Sequence, residues 1–129
     1  MTRAADEHDK WQRANWDKVH PMVRQDCLDG LRAEIPARLM GILRAQHNAK
    51  QSLGSHDVFF HLGIGMRIRN ILRNYLTDGE LPEVDYYHDI AGNMLEPWEK
   101  PPPQGFVLTK ARNWDDYYIG ALQELCEKP

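Results

Sequence analysis

The stretch Phe59-Phe60-His61-Leu62-Gly63-Ile64-Gly65-Met66-Arg67-Ile68-Arg69-Asn70 constrains this chain more than any other. It is too apolar for a helix lying on a surface and too charged for a membrane span, and it sets two glycines inside a helical pattern. The periodicity predicts a central helix from about His56 to Leu76, roughly 30 Å long at the standard rise. Phe60, Ile64, Ile68, Ile71, Leu72, Tyr75 and Leu76 would form its apolar face, with Arg67, Arg73 and Asn74 off it. Thr77-Asp78-Gly79 is expected to end it, Gly79 taking the left-handed cap. Gly63 and Gly65 do not make a dinucleotide loop, which needs a third glycine and a preceding strand. They are read as notches that let another helix approach.

Prolines divide the first fifty residues. Residues 1–10 are polar and expected to fray, and a short helix through Trp11 and Trp16 must stop before Pro21. Proline lacks the amide donor and fits best at the first position of a new helix. A second helix is therefore predicted from Pro21 to about Leu31, burying Val23, Cys27, Leu28 and Leu31. A third runs from Pro36 to about Gln46, with Leu39, Met40, Ile42 and Leu43 inward and Gly41 serving close packing. Ser55 or Asp57 can cap the helix that follows the polar segment 47–55.

Beyond Gly79 the texture changes. Residues 80–112 carry Pro82, Pro97 and the Pro101-Pro102-Pro103 run, and read as an irregular arm that packs through Trp98 and Phe106. A short helix over Tyr87–Met94 and a short strand over Gly105–Thr109 are the structured elements this arm could hold. A last helix should follow Asn113 or Asp115 as N-cap, with Tyr118, Ile119, Leu122 and Leu125 inward. The expected fold is all-α or mainly α. It is a single domain, residues 1–129, of four to six helices around the central one.

Composition bounds the function. The formal net charge of -3 argues against a protein that coats nucleic acid or anionic lipid. Residues 81–129 hold nine acidic and four basic side chains, a balance suited to a basic partner surface or simply to a solvated face. Cys27 and Cys126 stand far apart and read as reduced thiols. The six histidines are scattered without zinc-ligand spacing, so neither metal nor cofactor is expected. With no apolar run long enough to span a bilayer and no leader pattern, the expected setting is soluble and cytoplasmic.

Phe60, His61, Gly65, Ile68, Arg69 and Asn70, with Ile64 in place of a leucine, resemble the Phe-His-x-x-Leu-Gly-x-x-Ile-Arg-Asn signature of an uncharacterised domain family of small bacterial and phage proteins. That family carries His-Pro-Asp-Asp before its final helix. Asn113-Trp114-Asp115-Asp116 matches it in the two aspartates only. The resemblance covers about 30 residues and implies a compact helical fold.

Two groups of residues follow as candidates. His61, Arg67, Arg69, Asn70, Asp115 and Asp116 form a polar cluster, in which Arg69 and Asn70 are expected to reach the start of the last helix and bond Asp115 or Asp116. Arginine's planar fork suits such a carboxylate. Its first reading is a structural clasp. The functional alternative is an anion or peptide site on Arg69 and His61. His61 could act as a general base, but no nucleophile array stands near it, so a hydrogen-bonded core histidine is favoured. Tyr86, Tyr87, Trp98, Phe106 and Trp114 form the candidate interaction surface, since aromatic residues dominate binding hot spots. The leading functional expectation is therefore a protein-interaction module, such as an inhibitor or, by the resemblance, an immunity or anti-defence protein. An enzyme using a cleft of His61, Arg69 and Asp116 is the rival. A nucleic-acid binder working through the N-terminal helices comes third. A homo-oligomer is compatible with all of these.

Overall fold

The computed structural model describes residues 3–51, 53, 65–97, 99 and 104–128. The elements are α1 (Arg3–Asp17), α2 (Pro21–Glu34), α3 (Ala37–Asn48), α4 (Gly65–Leu72), β1 (Val84–His88), β2 (Val107–Ala111) and α5 (Tyr118–Glu127). Short 3₁₀ turns occupy Asp78–Glu80 and Trp114–Asp116. The architecture is mainly helical, with one short antiparallel ribbon of two strands.

Proline sets two of the helix starts. Pro21 opens α2 in the first turn, where its missing donor leaves nothing unsatisfied, and the His20 ring accepts the Met22 amide at 3.2 Å. Pro36 sits one place outside α3 as its cap, its carbonyl accepting from Met40 at 3.0 Å. Met40 and Leu43 of α3 are buried, whereas Ile42 lies largely in solvent.

The fraying expected of residues 1–10 is corrected from Arg3 onward, where α1 is already helical; residues 1–2 lie outside the described residues. Asp9, Gln12, Asn15 and Trp16 of this helix are buried, and the docking of that face holds the polar N-terminal turns in register. The anticipated helix of residues 56–76 is described only from Gly65, its earlier part lying outside the described residues, and it ends at Leu72 rather than Leu76. Thr77 and Gly79 do not close it. Thr77 instead opens a separate 3₁₀ turn, in which the Glu80 carboxylate accepts from both the Thr77 amide (3.0 Å) and its hydroxyl (2.8 Å). Gly79 is not left-handed.

Among the described residues, the helix that the others surround is α5, which touches α1, α2, α3 and α4. Tyr118, Ile119, Gly120, Ala121, Leu122 and Leu125 are all buried, as a helix apolar around most of its circumference must be. Trp16, Cys27, Leu28 and Leu31, Leu43, and Ile68, Ile71 and Leu72 close over it from the other helices, and Val19 from the connection between α1 and α2. Gly41 meets nothing within 4 Å, so the close packing expected there is absent. The close approaches fall at Gly30, under the Tyr75 ring, and at Gly120, against α1.

The irregular arm and the short helix over Tyr87–Met94 give way to a hairpin. Val84 pairs with Ala111 and His88 with Val107, and Tyr86 stands opposite Thr109. Asp89 organises the turn beyond β1. Its carboxylate accepts from the Ala91 amide (3.0 Å), the Asn93 amide (2.8 Å) and the Asn93 side chain (3.0 Å), while Gly92 takes the positive φ of +85° that the bend needs. No helix among the described residues is long and apolar enough to cross a membrane.

Candidate functional site

The polar cluster resolves into a seam between α1 and the approach to α5. Arg69, on α4, donates to the Asp115 carboxylate, and its guanidinium lies 6.0 Å from the centre of the Tyr118 ring. Asn70 does not join them; it is exposed and its side-chain oxygen accepts from Arg73 at 3.3 Å. Arg67 also faces solvent, at a shallow hollow shared with Glu34, Asn70, Ile71 and Asn74. The reason is helical geometry: two residues apart on a helix, Arg67 and Arg69 cannot share a face. His61 lies outside the described residues.

Asp116 engages the Tyr86 hydroxyl, whose hydrogen bond it accepts, rather than Arg69. Burial holds the Asp116 carboxyl above the usual carboxylate range, and Asp115 pushes the same way against the pull of the Tyr86 bond. Tyr86 is itself pinned edge-on to Trp11, centroids 6.0 Å apart. Tyr86 therefore fastens the hairpin to α1 and the last turn instead of offering a free ring.

Sequence reading passed over the residues that complete the seam, Gln12 and Asn15. Gln12 donates to the Asp115 carbonyl at 2.7 Å and accepts the Ile119 amide at 3.0 Å. Asn15 donates to the Asp116 carbonyl at 3.0 Å. Asn113 caps only the 3₁₀ turn, accepting from the Asp115 amide at 3.0 Å. One orphan amide of α5, that of Ile119, is thus capped by a side chain 107 residues earlier. Their spacing gave one weak signal: Gln12, Asn15 and Trp16 share an α1 face. Trp16 donates to Glu124 at 3.0 Å.

Of the expected aromatic surface, Trp114 is a correction. It is fully buried, packs 6.3 Å from Trp16 and 6.1 Å from Tyr117, and donates to the Leu76 carbonyl at 3.0 Å. Burial with a satisfied indole N–H is what a large aromatic in a small core requires. Trp98 lies outside the described residues. Tyr87 and Phe106 remain half-buried on the hairpin. The surface that sequence reading missed lies beside them. Ile90 is fully exposed at 103%, Met94 at 58%, Val107 at 57% and Leu108 at 43%. Tyr87 and Leu108 stand opposite each other on one face. His88 stands between Val107 and Met94 on the other, since it pairs with both. The distal half of the ribbon is therefore apolar on both faces, with Ile90 at its turn.

A second feature is an open cleft of about 730 Å³ between α1, the end of α3 and α5, bordered by Lys10, Arg13, Asp17, His47, Lys50 and Glu127. Three of its charges satisfy one another. Arg13 donates to Glu127 at 2.8 and 3.0 Å and to Asp17 at 3.2 Å. Burial raises the Cys27 thiol to about 12 and also lifts Cys126, so both stay protonated near neutrality. Among the described residues no three histidine, cysteine or carboxylate side chains gather as metal ligands.

Fold and site together define a mainly helical domain that carries an apolar-tipped β-hairpin. The chain matches no family model, and neither a curated protein nor a solved structure matches it.

Proposed function

We propose that this protein is an interaction module that binds a protein partner through the distal half of its hairpin. The observation that carries the reading is the cluster of Ile90, Met94, Val107 and Leu108 in solvent at the end of a two-stranded ribbon. Apolar side chains gathered on both faces of one projecting element are costly in water and are characteristic of a contact surface. The polar cluster supports the same reading from the other side. Arg69 is engaged by Asp115 and Asp116 by Tyr86, so these groups are engaged in holding the hairpin and α5 in place. The rival enzyme reading needs Arg69 and Asp116 in one cleft, yet they turn to different partners. The nucleic-acid reading is weakened by the -3 net charge and by the pairing of two N-terminal arginines, Arg13 with Glu127 and Arg24, which lies 3.6 Å from both Asp17 and Glu124. The resemblance of residues 60–70 to small bacterial and phage proteins supports an inhibitor or immunity role, exerted by occupying the partner.

The test is capture of partners from the host of origin with the wild-type chain and with an Ile90→Asp/Met94→Asp variant. Both positions are exposed, so the variant should melt like the wild type and lose the partner. Equal capture by both would refute the reading.

A further inference from the structure

The backbone of the ribbon carries information that its side chains do not. The Leu95 amide donates to the Tyr87 carbonyl at 3.0 Å, and the Asp89 amide to the Asn93 carbonyl at 3.0 Å. Together with the antiparallel bridge between His88 and Met94, these bonds place residues 93–95 along one edge of β1. Backbone groups alternate from side to side along an antiparallel strand. Tyr87 and Asp89 therefore point away from β2, while Val84, Tyr86 and His88 point towards it. The register then makes Ala111, Thr109 and Val107 the residues of β2 that bond back to β1. The amides and carbonyls of Leu108 and Lys110 must face the opposite, outer edge. Among the described residues no backbone bond is made to them there, and residues 107–110 are all exposed.

We infer that the outer edge of β2 pairs antiparallel with β2 of a second copy, about a two-fold axis at Thr109, to give a continuous four-stranded sheet across a dimer. The edge is complementary to itself in this register. Leu108 and Lys110, the residues with outward backbone groups, fall opposite each other's counterparts and exchange both bonds. Val107 covers Ala111 of the second copy, and Thr109 meets Thr109, a favourable cross-strand pair. Charge disfavours one neighbouring register as well. Lys110, held 3.6 Å from Glu83 of its own hairpin, faces a leucine of the second copy, whereas an axis one step further along the same edge would set Lys110 against Lys110. An unpaired strand edge is a template for this kind of addition. The inference shares the hairpin with the function proposed above and in that sense rests on it, but its observation is separate: backbone groups along β2, not side chains at the tip.

Sedimentation equilibrium from micromolar to submillimolar concentration tests it, with three variants in a Cys126→Ser background. The wild type should reach twice the 15.0 kDa chain mass. Leu108→Lys, which opposes Lys110 of the second copy with a like charge, should sediment as a monomer, and Leu108→Asp should remain a dimer. At the two-fold, Thr109 faces itself in a pair without hydrogen bonds, where Cα atoms lie about 4.5 Å apart, within disulfide range. Thr109→Cys should accordingly form an interchain disulfide on mild oxidation. A wild type that stays monomeric with no such disulfide would overturn the inference, as would a dimer indifferent to the charge at position 108. If the chain is monomeric yet Ile90→Asp/Met94→Asp loses its partner, the dimer fails and the proposed function stands. Retained capture with an intact dimer is the reverse.

Discussion

Gly120 of α5 lies so close to Trp16 of α1 that a β-carbon placed on it would stand 2.5 Å from the β-carbon of the tryptophan. The same atom would stand 2.8 Å from the Gln12 carbonyl oxygen and 3.0 Å from the Arg13 Cα, so the obstacle is mostly backbone and cannot swing aside. This approach brings α1 near enough for Gln12 and Asn15 to reach the chain ahead of α5. One missing methyl group thereby supports the whole polar seam.

Gly120→Ala is expected to force α1 and α5 apart and to cost about 2–3 kcal/mol, within the usual range for overpacking. Gly41→Ala is the internal control. It sits in the middle of α3 with nothing within 4 Å, and should stabilise by about 0.5–1 kcal/mol through lower unfolded-state entropy and better helix propensity. Chemical denaturation of both variants would check the pair; equal effects would contradict the packing described here.

Gln12→Leu keeps the bulk of the side chain but removes both of its hydrogen bonds. The Ile119 amide is buried and its contact with Gln12 serves as the α5 cap. Leaving it unsatisfied should cost about 1–3 kcal/mol. Gln12→Glu retains an acceptor for Ile119 but sets a buried carboxylate against the Asp115 carbonyl, so it should be at least as harmful at neutral pH and recover in acid, where the protonated carboxyl can again donate. Thermal melts in which Gln12→Leu leaves stability unchanged would remove the capping role.

The Arg69–Asp115 pair should show coupling in a double-mutant cycle with alanine at each position. The arginine side chain is 19% exposed and the aspartate 45%, so the expected cycle energy is modest, about 0.5–1 kcal/mol. Asn70→Ala, outside the pair, should change stability by less than about 0.5 kcal/mol. Strictly additive single losses would show that Arg69 works through packing on Tyr118 alone.

Two carboxylates should bend the stability curve in opposite directions. The Arg13 hydrogen bond holds Glu127 below its ordinary value of 4.5. Its contribution is therefore present above that value and fades as pH falls through the lower folded one. Glu127→Gln should destabilise at neutral pH, by less than about 1 kcal/mol for so exposed a pair, and the difference should vanish in acid. Burial lifts Asp116 above its ordinary 3.8, so its ionisation works against the fold. Asp116→Asn should gain on the wild type as pH rises from below 3.8 through the raised folded value, then level off. Melting temperatures of the three proteins across acid to neutral pH would show the opposed slopes, and parallel curves would contradict them.

Periodicity and proline placement carried the helices. The apolar stripe Cys27-Leu28-Leu31 and the run Tyr118-Ile119-Leu122-Leu125 point inward because a 3.6-residue repeat leaves them no other common face. The hairpin was less legible. Its strands are short, few of its side chains are buried, and the turn is made by Asp89 and Gly92 within a segment whose prolines suggested an extended arm. The exposed group at Ile90, Met94, Val107 and Leu108 was hidden for the same reason, since a hydrophobic residue in a sequence reads first as core.

What the sequence alone determined is local: where proline must start a helix, which residues share a helical face, and that the chain is mainly α. Which glycine is squeezed, which tryptophan disappears inside, and that Gln12 caps a helix on the far side of the chain were decided by tertiary structure. The reason is physical. Propensity and periodicity act over one or two turns. A close helix crossing and a cap made from another element exist only once segments a hundred residues apart have been brought into contact.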